Sequence, residues 1–123
     1  MPNKILVVDD EANIVLSLEF LMNKAGYDVR TASNGEEALA AIDADPPDLI
    51  LLDVNMPEKN GFEVCETIRA RNEWAHIHII MLTAHGRDIE REKGLALGAD
   101  DYLTKPFAIR EVVSKVEEAL KQS

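Results

Sequence analysis

One cysteine, Cys65, is all that this 123-residue chain contains. That excludes an intramolecular disulfide and any multi-cysteine metal site. Cys65 falls on a predicted helix with no histidine nearby, and it reads as a small buried apolar residue rather than a reactive thiol. No apolar run reaches the length of a membrane span, and Met1-Pro2-Asn3-Lys4 has no apolar signal region behind it. The expectation is a cytoplasmic protein that does not enter a membrane. Basic residues are scarce beside acidic ones, 13 Lys and Arg against 23 Asp and Glu, for a net charge of −10. The basic face that phosphate-backbone contacts need is therefore missing, which argues against nucleic-acid binding by this domain. Repeats, low-complexity tracts and linkers are absent too. Residues 1–123 are expected to form a single domain, long enough to bury a core without staples.

What is present is an alternation of short apolar strands with amphipathic helices. Leu49-Ile50-Leu51-Leu52-Asp53 is the clearest stretch: four large apolar residues in a row, then an acid. Such a run suits a central parallel strand buried on both faces. On its own it reads first as a strand followed by a capping or loop acid, and only second as a strand bearing a reactive group. Pro57 stops its extension. Lys4-Ile5-Leu6-Val7-Val8 is a second buried strand, ending in Asp9-Asp10-Glu11. From Asn13 the apolar stripe Ile14, Leu18, Leu21, Ala25 has helical spacing, closed by Gly26. Residues 27–33 alternate as a more exposed strand. Asn34-Gly35 marks a turn before a short helix over 36–44, and Pro46-Pro47-Asp48 breaks that helix.

Further along, 58–61 is a loop and 62–71 a helix with Val64, Cys65 and Ile68 on one face. Residues 77–82 form another buried strand, ending at Thr83, and Ala84-His85-Gly86 is a turn. A weak helix spans 87–97, with Gly94 inside it and a thin apolar face. Residues 101–104 form the last strand, followed by Lys105-Pro106. The final helix carries the stripe Ile109, Val112, Val113, Val116, Ala119, Leu120. Five strands alternating with five helices require an α/β fold, a doubly wound parallel sheet with helices on both faces and right-handed crossovers.

In a parallel sheet all strand ends point to one edge, the edge where open α/β folds hold their ligands. Asp9-Asp10, Asp53, Thr83 and Lys105 stand at four of these ends. Three converging carboxylates repel one another and raise each other's pKa, a conflict that a hard divalent cation such as Mg²⁺ removes. A site with Mg²⁺, a lysine and a hydroxyl is complementary to a phosphoryl group. A central aspartate there can act as nucleophile and form an aspartyl-phosphate.

These pieces resemble the receiver domain of two-component response regulators, including the single-domain chemotaxis type. The matching segments are Val7-Val8-Asp9-Asp10, Leu51-Leu52-Asp53-Val54-Asn55-Met56-Pro57 with Gly61 after it, Leu82-Thr83-Ala84, and Gly98-Ala99-Asp100-Asp101-Tyr102-Leu103-Thr104-Lys105-Pro106-Phe107. They occur in family order and spacing over almost the whole chain. The resemblance implies a flavodoxin-like strand order 2-1-3-4-5 and phosphorylation of Asp53 by a partner histidine kinase or phosphotransfer protein. It implies Mg²⁺ held directly by Asp10 and Asp53, with Asp9 acting through a water or orienting the site, and with the backbone carbonyl of Asn55. Thr83 and Lys105 would meet phosphoryl oxygens, and the peptide before Pro106 would be cis. Thr83 and Tyr102 would act together as the switch, biasing two packings of the domain. The side chains of Asn55 and His85 would tune phosphate loss, and small Ala84 would leave the phosphoryl group accessible.

His76 and His78 start their strand at the opposite edge and read as solvent-facing. The output surface would be the fourth helix, last strand and final helix, through a homodimer or an output protein. On the final helix Arg110, Glu111, Lys115, Glu117 and Glu118 are candidates for such ion pairs or for plain solvation. The chemistry would be self-modification and self-dephosphorylation, with no separate substrate turned over. A haloacid-dehalogenase-type phosphohydrolase is the main alternative. It needs an acid two residues after the nucleophile, where Asn55 stands, and its paired acids come late in the chain. A flavodoxin-like flavin carrier would need a phosphate loop after the first strand, where Asp9-Asp10-Glu11 would repel phosphate. A scaffold that works without phosphorylation would not need the complete acceptor set.

Overall fold

In a computed structural model, the described residues are 2–56, 59–84, 86 and 88–121. Five strands, β1 (Lys4–Val8), β2 (Asp28–Ala32), β3 (Leu49–Asp53), β4 (His78–Ala84) and β5 (Asp101–Lys105), form one parallel sheet in the order β2-β1-β3-β4-β5. The helices are α1 (Ala12–Lys24), α2 (Gly35–Ala44), α3 (Gly61–Arg69), α4 (Asp88–Ala96) and α5 (Ile109–Lys121), with a 3-10 turn at Asn72–Trp74. This is the expected doubly wound, flavodoxin-like fold.

The strand pattern explains the layering. Side chains alternate across a strand. Leu6, Val8, Ile50, Leu52, Ile79 and Met81 face α2, α3 and α4, where they meet Ile42, Val64, Cys65 and Ile68. Ile5, Val7, Leu49, Leu51, Ile80, Leu82 and Leu103 face α1 and α5, where they meet Leu18, Met22, Val112 and Val116. β3 is buried along its full length, Asp53 included. Cys65 is buried, as expected, and burial pushes its thiol up to about 11. Each fully buried large aliphatic side chain contributes about 1.5–3 kcal/mol of transfer free energy, so the two layers hold the sheet in place.

Two glycines read from sequence as turns or loops are instead the first residues of helices. Asn34 caps α2, its side-chain oxygen accepting from Glu37 N at 2.8 Å. Asn60 caps α3 with a reciprocal capping box to Glu63. Both glycines are required by close approach. A Cβ on Gly61 would lie 2.2 Å from the Asp53 carbonyl oxygen, and one on Gly35 2.3 Å from the Lys59 carbonyl oxygen. The start of α3 is thereby pressed against the end of β3. Gly94 also has a packing role beyond weakening its helix, because a Cβ there would come within 3.2 Å of Met81 Cγ. Pro57, expected to end the central strand, lies outside the described residues.

Candidate functional site

Parallel pairing brings the carboxyl ends of β1, β3, β4 and β5 to one edge. Asp9 follows β1 and is fully buried; Asp53 ends β3 and is only 3% exposed; Asp10 is exposed. One ligand oxygen from each of the three lies within 4.8 Å of the others. Lys105, the last residue of β5, reaches into this group. Its Nζ stands 2.8 Å from Asp9 Oδ2, 3.2 Å from Asp53 Oδ1 and 3.2 Å from Glu11 Oε1. The Lys105–Pro106 peptide is cis, as the resemblance implied.

The electrostatics follow from this crowding. Burial, then the charge of Asp9, pushes the Asp53 carboxyl up from 3.8 to about 7. The Lys105 ammonium and the backbone N–H of Asn55, 3.4 Å from Asp53 Oδ1, pull it back only in part. Burial alone would lower the Lys105 pKa, but Asp9, Asp53 and Glu11 outweigh it and hold the ammonium charged above its ordinary value. Asp9 Oδ1 accepts from Glu11 N at 2.9 Å, whereas Asp9 Oδ2 has the lysine beside it but no well-directed hydrogen bond. Among the described residues three carboxylates thus share one ammonium, with Asp10 beside two of them. A buried carboxylate oxygen with spare lone pairs, beside two more carboxylates, is an oxygen-donor set that fits a hard divalent cation.

The other expected residues are placed as follows. Thr83 is buried, and its hydroxyl donates to the Leu103 carbonyl at 3.4 Å, toward β5. Tyr102 is half-buried on β5, its ring packed against the α2–α3–α4 layer. The guanidinium of Arg91 lies 5.1 Å, and the ammonium of Lys115 5.5 Å, from its centre. Asn55 is exposed, with its side-chain amide 3.3 Å from Glu90 Oε2. His85 lies outside the described residues. His76 is exposed, as expected. His78 is a correction: it is half-buried, with Nδ1 3.9 Å from Asp100 Oδ2. Lys115 is a second correction to the picture of a solvated final helix, since it is engaged with both carboxylate oxygens of Asp101 at 3.0 Å.

Sequence reasoning missed Glu11 as a partner of Lys105, although it stands in the acidic run after β1. It also missed Glu90, which no local pattern marks.

Comparison with known proteins agrees with this geometry. The sequence model of the family "Response regulator receiver domain" matches residues 5–117. The alkaline phosphatase synthesis transcriptional regulatory protein PhoP of Bacillus subtilis (strain 168) is 49% identical over 123 residues, covering 100% of this chain and 50% of that protein. The chain thus spans about half the length of this curated relative. Among solved structures, one described as a response regulator from Chloroflexus aurantiacus J-10-fl superposes with a TM-score of 0.95 at 38% identity, covering 98% of this chain and 99% of that one. Chemotaxis response regulator CheY4 of Vibrio cholerae superposes at 0.91 with 34% identity, covering 97% and 99%.

Proposed function

The chain belongs to the response regulator receiver-domain family of two-component signalling, and on that premise we propose that Asp53 is its phosphoryl acceptor. The observation that carries this is the placement of Asp53: a buried carboxylate with a raised pKa, at the ligand edge of the sheet, in contact with the single ammonium of Lys105. An Asp53 oxygen attacks the phosphorus of a phosphohistidine on a partner kinase or phosphotransfer protein. The new O–P bond forms as the N–P bond breaks, and the leaving imidazole takes up a proton. Hydrolysis returns the carboxylate and inorganic phosphate when water attacks the same phosphorus. Lys105 pairs with a phosphoryl oxygen, and Thr83 donates to another once its hydroxyl leaves the Leu103 carbonyl. Asn55 and His85 are the positions that tune the rate of loss.

Asp10, Asp53 and the Asn55 backbone carbonyl would hold Mg²⁺, with Asp9 acting through a water or orienting the site. The metal supplies positive charge to the transferring phosphoryl group. Rotation of Tyr102 with the movement of Thr83 changes the face formed by α4, β5 and α5, where a second copy or an output protein would dock. The working unit is residues 1–123 as a single receiver domain, acting in the cytoplasm. Where the chain forms part of a longer regulator, as in its curated relative, the output would lie outside these residues.

Incubation with acetyl phosphate and Mg²⁺ followed by mass spectrometry tests the acceptor. One phosphoryl group should map to Asp53 and be lost in Asp53→Asn. Undiminished labelling of that variant overturns the assignment.

A further inference from the structure

Lys105 is the donor on which the candidate site depends, and its ammonium is fully engaged. It carries three N–H groups and stands within 3.2 Å of three carboxylate oxygens, from Asp9, Asp53 and Glu11. None is left over for the oxygen of an incoming phosphoryl group. One partner must give way, and the three are not equal. Asp9 is fully buried and Asp53 is 3% exposed. Each also accepts a backbone N–H, Asp9 from Glu11 at 2.9 Å and Asp53 from Asn55 at 3.4 Å. The Glu11 side chain is 60% exposed, and among the described residues Lys105 is its one partner. The Glu11 backbone, by contrast, is fixed. Its N–H donates to Asp9 Oδ1, and its carbonyl accepts from Ile14 N and Val15 N at the head of α1. A pinned backbone thus aims a loosely held carboxylate at the most contested donor of the site.

The geometry points to Glu11 as a positioning residue that occupies one N–H of Lys105 until the oxygen of a phosphodonor takes it, and so restrains the loading of Asp53. This rests on Asp53 being the acceptor. A charged donor that already holds three anions gains little from a fourth, but gains a full hydrogen bond when the fourth replaces one of them. Exposure decides which one is replaced. Water satisfies a displaced Glu11 carboxylate at once, whereas Asp9 and Asp53 would be left buried with an unpaired charge. Glu11 therefore keeps the ammonium compensated in the empty site and yields at the lowest cost when a phosphoryl group arrives.

Three variants of the full chain test this. Glu11→Gln keeps the size and removes the charge. Glu11→Asp keeps the charge but is one methylene shorter, and with the backbone pinned it falls short of Lys105. Glu36→Gln takes an equal charge from an exposed site in the first turn of α2, at the same edge of the sheet, and is no partner of Lys105. The NMR signals of the Lys105 ε-methylene, assigned by their loss in Lys105→Arg, are followed without metal or phosphodonor. The rate of acetyl phosphate labelling is followed at saturating Mg²⁺. The Lys105 signals should move in both Glu11 variants. Both should label about two- to five-fold faster than wild type, the range expected for a partly exposed charged contact. Glu36→Gln should match wild type in both measurements. Lys105 signals that stay in place in the Glu11 variants, or labelling no faster in them, overturn the proposal. Faster labelling of Glu11→Gln with Glu11→Asp at the wild-type rate, or an equal effect of Glu36→Gln, overturns it in favour of plain charge repulsion. A wild type that takes no phosphoryl group at Asp53 overturns the acceptor reading and the restraint with it. The NMR measurement separates that outcome, because it reads the Glu11–Lys105 contact with no phosphoryl group present.

Discussion

The two edges of the sheet use acids in opposite ways. At the amino edge Asp45, Asp48 and Asp100 are each matched with a donor. Asp48 accepts from Lys4 N at 2.7 Å, Asp45 from Lys4 Nζ at 2.9 Å, and Asp100 from both Ile79 N and Arg69 Nη2 at 2.8 Å. At the carboxyl edge Asp9, Asp53 and Glu11 crowd around the single ammonium of Lys105, with Asp10 alongside. The first arrangement stitches strands and helices together. The second stores repulsion that the fold must withstand until a cation or a proton relieves it. The sheet is one and the residue types are the same, so supply of donors is what separates a structural edge from a reactive one.

The largest effect expected from breaking this contrast is at the amino edge. Arg69 joins α3 to the Gly98 and Ile77 carbonyls and to Asp100. Arg69→Ala should cost about 2–4 kcal/mol in chemical denaturation, because it strips three acceptors of one charged donor. Phosphoryl labelling of the protein that remains folded should persist. A smaller and opposite effect belongs to the carboxyl edge. The folded-state pKa of Asp53 lies above its ordinary 3.8, at about 7. Its contribution to stability is therefore complete below pH 4 and is lost as pH rises toward 7. Asp53→Asn does not titrate, so without metal the stability of the variant relative to wild type should climb across that window. A flat difference between pH 4 and pH 7 would remove the repulsion described here. The smallest effect should come from Lys4→Ala. Its ammonium pair with Asp45 is solvent-exposed and screened by water, so losing it should leave the denaturation midpoint almost where it is in wild type.

These contrasts also mark what could be read from the chain alone. The core strands were legible because Lys4–Val8 and Leu49–Asp53 are apolar runs that end in acids, and runs of that length admit few other structures. The convergence of Asp9, Asp10, Asp53 and Lys105 followed from topology, since parallel strands end at one edge. Helix starts were misread at Gly35 and Gly61. A glycine beside an asparagine looks like a turn, and the capping bonds of Asn34 and Asn60 become visible only once the helix exists. Contacts that depend on how a helix is docked left no trace in the sequence. Glu90 reaching Asn55, His78 lying near Asp100, and the Thr83 hydroxyl on the Leu103 carbonyl all join residues at least 20 positions apart, with no periodicity to link them.

The most direct test of a donor-poor, cation-seeking edge is thermal unfolding of wild type and Asp53→Asn, each with and without Mg²⁺. Without the metal, Asp53→Asn should be the more stable by about 1–2 kcal/mol, because a buried like-charge conflict has been removed. Mg²⁺ at a hundred times its dissociation constant should then stabilise wild type by about 2.7 kcal/mol and the variant by clearly less, closing or reversing the gap. A variant less stable than wild type without metal, together with Mg²⁺ that raises neither or both equally, would contradict the account.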